Sequence, residues 1–351
     1  MQSKGRRAAF GEARAAACRA HMIAGNDLGR QVVTVRGPVR PDELGVVLSH
    51  DHILVDAYEV FGAVDYRWII DDVELAIDEV GRFGGVGGGT ICDPTNVGLG
   101  RDPVSLRRIS EATAVHVVMG SGWYREKVYP AYVAEELPDR LAERLVSELT
   151  EGVDGTGIRP GFIGEIGTER RGISPAQERV FRAAARAHRQ TGCPIVTHTT
   201  HFGELAIEQL DLLKEEGVAP RSVVVSHLGD RIGPAAIRPI AERGAWLSVD
   251  NLGFSAGYAP LEVRADNVAA LCEEGFGGQV LLGNDICQRD QLEAYGGPGY
   301  ANVIRNFLPL LRARGVSEDQ IHGMTIDNPA QAFAYEAEAA RVRWRARRDK
   351  K

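Results

Sequence analysis

From residue 45 onward, short runs of continuous apolar residues alternate with longer segments whose apolar positions recur every three or four residues. The runs occupy 45–53, 88–95, 114–123, 161–168, 194–200, 222–230, 245–253 and 279–287. A strand exposed on one face alternates apolar and polar residues, whereas a strand buried on both faces does not, so these runs predict a parallel sheet covered by helices. The segment at 175–191 carries the clearest helix signals. Ser174 precedes Pro175, Gln177 follows three residues after the serine, and Val180, Phe181, Ala184, Ala187 and His188 recur at helical spacing before Gly192. Eight strand–helix units over about 290 residues predict a single (β/α)8 TIM barrel in the α/β class. A doubly wound open sheet is the alternative, but the first strand-to-helix turn lacks G-x-G-x-x-G, and the glycine cluster at 84–89 precedes a strand rather than a helix.

Both ends fall outside this count. Residues 1–29 read as an appendage, with Met22 a second candidate for the start of translation; 30–335 form the barrel, and 336–351 a basic tail, either a charged helix or disordered. No apolar run approaches the roughly 20 residues of a membrane span, and residues 1–20 lack the apolar stretch of a secretory signal. A cytoplasmic protein that does not cross a membrane is the expectation.

Composition narrows the picture in two ways. With 41 Lys plus Arg against 48 Asp plus Glu and 44% hydrophobic residues in 351, the chain is an ordinary globular protein, not a disordered or fibrous one. Residues 1–40 carry +6 and residues 336–351 carry +4, which leaves −17 for residues 41–335 against the total of −7. So acidic a body argues against a nucleic-acid partner. The cysteines, at 18, 92, 193, 272 and 287, are odd in number and contain no C-x-x-C pair, so neither a disulfide framework nor a thiolate zinc site is indicated.

The histidines carry the candidate chemistry. His50 and His52 close the first predicted strand two residues apart and so share a face; His198 closes the fifth and His227 the sixth. Asp285 closes the eighth, and Glu165 lies in the fourth. One histidine at a strand end is more often a hydrogen-bonded rim residue than a ligand. Six ionisable groups on five strand ends, all at the C-terminal rim of a barrel, call for a cation to compensate them. With no thiolate in the set, zinc suits it first, with manganese or cobalt as alternatives. His21, His116, His188 and His322 lie elsewhere and read as structural. Around the same rim, Trp123, Tyr124, Arg125, His201, Asp230 and Arg289 are candidate substrate contacts; for His201 and Asp230 a solvated loop position is an equal reading.

These motifs resemble the phosphotriesterase family of the amidohydrolase superfamily over Val33 to Phe333. The resemblance includes Thr34-Val35-Arg36-Gly37-Pro38, His50-x-His52, the His198 and His227 strand ends, Asp285, the Gly296-Gly297-Pro298-Gly299-Tyr300 loop and Asn328-Pro329-Ala330. It implies a metal-dependent hydrolase, homodimeric or monomeric, with two divalent ions and a small-molecule substrate. By the same resemblance His50, His52 and Asp285 hold the more buried ion, His198 and His227 the more exposed one, and a hydroxide between the ions is the nucleophile, with Asp285 as the proton acceptor. Where phosphotriesterases carry a carboxylated lysine on the fourth strand, this chain has Gly164; Glu165 fits instead the phosphotriesterase homology branch, in which a glutamate bridges. A one-residue shift turns a strand side chain to the other face, so a local bulge must re-aim Glu165. The residue after the seventh-strand Asp250 is Asn251, not histidine, and cannot carry a proton near neutral pH. The expected reaction is therefore cleavage of a carboxyl-type bond, in a lactone, ester or N-acyl amide. Phosphoester hydrolysis by the same centre and a barrel that binds without turnover are the alternatives.

Overall fold

The computed structural model describes residues 29–62, 65–200, 204–230, 233–255 and 257–348. The N-terminal appendage up to residue 28, Met22 and His201 lie outside these residues. The eight predicted runs form eight parallel strands: β1 (Val46–Leu48), β2 (Gly88–Asp93), β3 (His116–Ser121), β4 (Phe162–Gly167), β5 (Ile195–His198), β6 (Val223–Val225), β7 (Trp246–Val249) and β8 (Val280–Leu282). They pair in chain order, and the ring closes where Ser49 N donates to Leu282 O at 2.8 Å and Asp285 N donates to His50 O at 2.9 Å. The result is the (β/α)8 barrel expected, and its closing seam runs through two of the candidate ligands.

Helices follow the strands: α1 (Val73–Gly85), α2 (Pro103–Thr113), α3 (Pro138–Glu151), α4 (Pro175–Thr191), α5 (Ala206–Glu215), α6 (Arg238–Glu242), α7 (Leu261–Glu273) and α8 (Leu308–Ala313). The signals read for α4 are all used: Ser174 Oγ accepts from Gln177 N, Gln177 reciprocates, and Gly192 ends the helix in the left-handed region. The tail is a helix, Ala337–Arg348, anchored by the half-buried Trp344 against the core and by the ion pair of Arg159 with Glu338. No helix among the described residues is long and apolar enough to cross a membrane.

Alternation along each strand explains why the runs are continuously apolar. Leu48, Ile91, Val117, Ile163, Ile195, Val223, Leu247 and Val280 pack outward against the helices in one core cluster. Val47, Cys92, Val118, Phe162, Val196, Val224, Trp246 and Leu281 point inward and fill the barrel in a second. Each such side chain contributes about 1.5–3 kcal/mol on burial, so both faces of the sheet drive folding. Above the inner plug the inward positions become small or polar. Ser49 and Ser248 meet at 3.0 Å, and a Cβ at Gly120 would overlap the Gly164 carbonyl. This narrow layer is the floor of the mouth.

The predicted strands are longer than the observed ones at their C-terminal ends. His50, His52, His227 and Asp285 lie just past the last paired residue, because the backbone leaves the ladder there: His227 has φ 65° and Asp285 has φ 56°. The bulge required near Glu165 is present as a register shift between Ile163 and Ile166 in the β4–β5 pairing. Gly164 has φ +139° there, and an added Cβ would overlap the Val196 carbonyl oxygen. Gly164→Ala should therefore destabilise the fold by about 1–3 kcal/mol in denaturant unfolding. An unchanged unfolding midpoint would contradict this account of the fourth strand.

Candidate metal centre

His50 and His52 alternate with Asp51 beyond β1, so the two imidazoles face the mouth while the Asp51 carboxylate faces β8. Its oxygens accept from Asn284 N and Ile286 N, both at 3.0 Å, and so fix the segment that carries Asp285. His198 ends β5. His227 is held twice by Asp250, whose Oδ1 accepts from the His227 backbone N–H at 2.8 Å and lies 3.0 Å from its ring Nδ1. Since a carboxylate only accepts, that contact places a proton on Nδ1 and leaves Nε2 facing inward.

The other rings are arranged in the same way. His50 Nδ1 lies 3.1 Å from Ser226 Oγ, His52 Nδ1 lies 2.8 Å from Thr95 Oγ1, and His198 Nε2 lies 3.4 Å from the Tyr124 hydroxyl. Each imidazole has one nitrogen tied to the surrounding protein and the other turned to a common centre. Glu165 lies in that centre. Its carboxylate is 3.0 Å from His198 Nδ1, 3.4 Å from His227 Nε2, 3.5 Å from His52 Nε2 and 3.7 Å from His50 Nε2. Asp285 Oδ1 lies 3.6 Å from His50 Nε2 and 3.8 Å from His52 Nε2, while Oδ2 accepts from Asn251 Nδ2 at 2.9 Å.

Three overlapping trios have donor atoms close enough to share an ion: His50, His52 and Glu165; His50, His227 and Asp285; and Glu165, His198 and His227. All six side chains are buried, and His50 Nε2 has no hydrogen-bond partner. A buried polar atom left unsatisfied costs about 1–3 kcal/mol, so this nitrogen is suited to a ligand that the protein itself does not supply. A wholly nitrogen and oxygen donor set, with anchored rings whose inner nitrogens converge on Glu165, fits one or two divalent cations.

Burial sets the charge of the metal-free centre. It lowers His50 to about 3 and His198 to about 4, and lowers His52, so these rings are neutral donors at neutral pH. His227 goes the other way: burial alone would lower it, but Asp250 and Asp285 beside it raise it well above its ordinary value. Burial likewise raises Asp285, whereas the imidazoles of His50 and His198 hold Glu165 well below the carboxylate range despite its burial.

The mouth opens into a cavity of about 670 Å³ whose walls include Tyr124, Arg125 and Asp230. Trp123 and Arg289 do not line it. Trp123 is buried in the core with Nε1 donating to the Tyr132 hydroxyl, and Arg289 is held on the outside by Ile69 O and Asp71. The wall residues without a prior signal include Phe61 stacked on Trp68 and Phe254 stacked on Tyr258, contributed by loops that short-range patterning does not place. His116, His188 and His322 stand apart from the centre, bonded to Arg36, the Cys193 carbonyl and Asp327.

Residues 30–333 match the Phosphotriesterase family. The chain belongs to that family. It is 35% identical over 292 residues to the phosphotriesterase homology protein of Escherichia coli (strain K12), covering 83% of this chain and 99% of that one. It is 28% identical to the N-acetyltaurine hydrolase of Tetraodon nigroviridis, covering 88% and 99%. The crystal structure of the lactonase Lmo2620 from Listeria monocytogenes superposes with a TM-score of 0.80 at 28% identity, covering 86% of this chain and 98% of that one. This phosphotriesterase-family chain is accordingly a metal-dependent hydrolase.

Metal and protons compete for the same atoms at this centre. A ligating imidazole or carboxylate must be deprotonated, and His227 and Asp285 are the two groups whose affinity for a proton is raised. Loading metal-free protein with zinc at pH 7 should release at least about one proton per chain, and affinity should fall as pH falls. Calorimetry in buffers of different ionisation enthalpy measures the release. A proton count of zero would contradict this charge assignment.

Proposed function

We propose that this chain cleaves a carboxyl-type bond of a small molecule, a lactone, ester or N-acyl amide, at a centre of two divalent ions. His50, His52 and Asp285 would hold one ion, His198 and His227 the other, with Glu165 between them. The chemistry supplied by bound divalent ions is polarisation of a carbonyl oxygen and acidification of a water toward a pKa of about 7. Zinc suits the donor set, and manganese or cobalt would too.

The observation that carries the choice of bond is the contact of Asn251 Nδ2 with Asp285 Oδ2 at 2.9 Å. Asp285 accepts the proton of the attacking water at Oδ1; its Oδ2 is held by the Asn251 amide, which cannot carry a proton, and faces His227 Nδ1 at 3.7 Å, a nitrogen already committed to Asp250 at 3.0 Å, so among the described residues no free imidazole nitrogen takes the proton outward. The proton stays beside the scissile bond, where an alkoxide or amine leaving group needs it. An activated phosphotriester releases a stable anion and gains nothing from that arrangement. The relatives named as a lactonase and as an N-acetyltaurine hydrolase support the same class of bond.

The remaining residues position the substrate. Tyr124 stands against His198, and Arg125 is held rigid by Glu169, with its Nε 3.1 Å from Glu169 Oε1, so both present fixed polar groups at the wall. Asp230 lines the same space, and the stacked pairs Phe61 with Trp68 and Phe254 with Tyr258 offer apolar faces to an acyl or alkyl portion.

Protein with measured metal content, assayed on a panel of lactones, esters, N-acyl amides and phosphotriesters, should turn over one of the first three classes fastest. Cleavage confined to phosphotriesters would reverse the assignment. In the same assay Asp285→Asn should lower kcat by roughly 100-fold or more with a smaller change in KM. An unchanged kcat would remove its proton-transfer role.

A further inference from the structure

The basic tail has no part in the chemistry above, yet its placement creates a second concave site. The C-terminal helix, Ala337–Arg348, lies against α3 and α4, with Ala337 and Ala340 buried and Trp344 packed on the core. Arg343 and Arg347 are four residues apart and share a helix face; Arg186, Arg189 and Gln190 share a face of α4 in the same way. The two faces meet across a cleft of about 610 Å³ lined by Asp139, Arg186, Arg189, Gln190, Arg343 and Arg347.

The charges of this cleft are unequal. Arg186 is taken up by Asp139 at 2.9 Å and by Glu216 at 3.1 Å. Arg347 donates to the uncharged Gln190 at 3.3 Å and has no carboxylate partner among the described residues. Among the described residues, Arg189 and Arg343 have no carboxylate partner, and both are exposed. Among the described residues, three guanidinium groups thus face one cleft without a carboxylate partner, on a protein whose central region, 41–335, carries −17. Like charges held together by two anchored helices repel, and an anion of matching charge relieves that repulsion. A single carboxylate offsets one guanidinium. A diphosphate offers two or more charges and the oxygen geometry that the planar arginine fork matches bidentately.

We propose that this cleft binds a small phosphate-bearing polyanion of the diphosphate class, at a site separate from the metal centre. Its volume falls within the roughly 300–1,000 Å³ of small-molecule sites, which favours a compact ligand over an extended polymer. The site takes its charge from both helices, Arg343 and Arg347 from the C-terminal one and Arg189 from α4, so bound ligand ties the two together.

Calorimetric titration of the metal-loaded full chain with ADP tests the assignment, with metal content checked before and after. ADP should bind more tightly than AMP, adenosine should not bind, and added salt should weaken the binding. The double variant Arg189→Ala, Arg343→Ala should bind ADP at least about 10-fold more weakly while hydrolysing substrate as the parent does. Equal ADP affinity in that variant would place the binding elsewhere, the metal centre included, and overturn the proposal, as would no binding to the parent chain at low salt. Tighter binding of a DNA duplex at the same ionic strength, lost in the same variant, would overturn the small-ligand assignment in favour of a nucleic-acid surface.

Discussion

Glu165 stands within 3.0–3.7 Å of four imidazole nitrogens in a place where water cannot solvate it. That contact is the constraint on which the rest of the mouth depends. A carboxylate so placed either takes protons from its neighbours or shares cations with them, and under the proposed function the rings serve the second. Each is held from behind, by Ser226, Thr95, Tyr124 or Asp250, so each presents its inner nitrogen at a set angle. Without those outer contacts the rings could rotate, and the donor atoms would no longer converge.

The barrel supplies this convergence through its layers. An apolar plug from all eight strands closes the lower part, and a thin layer of serine and glycine above it lets the backbones of β3, β4 and β5 approach closely. Larger side chains in that layer would lift Glu165 out of the ring. At the rim, His227, Asn251 and Asp285 adopt left-handed backbone angles, which cost of order 1–3 kcal/mol each and are sustained by the surrounding hydrogen bonds. Asp250 and Asp51 provide several of these bonds, each gripping backbone N–H groups near a candidate ligand. Fold stability and site geometry are therefore joined at the same residues.

Much of this was legible from residue order alone, for identifiable reasons. Continuous apolar runs marked all eight strands because both faces of this sheet are buried, and the six candidate ligands stood out because ionisable residues at the ends of such runs are costly. The displaced register of β4 followed instead from the family resemblance, which sets the phosphotriesterase lysine position at Gly164, one residue before Glu165. What the sequence could not show was the layer behind the ligands. Ser226, Thr95, Asp51 and Asp250 are common residue types whose roles arise from contacts between distant segments, such as the 2.8 Å bond of Asp250 to His227 N. Position after a strand also misled for Trp123 and Arg289, which turn into the core and to the outer surface. The aromatic walls came from loops, where nothing in local periodicity determines direction.

The most direct measurement is anomalous diffraction from crystals of zinc-loaded protein, recorded on both sides of the zinc absorption edge. Two peaks should stand on either side of the Glu165 carboxylate, one against His50, His52 and Asp285 and the other against His198 and His227. A single peak, or peaks that leave Glu165 outside bonding distance of both ions, would contradict a shared binuclear centre.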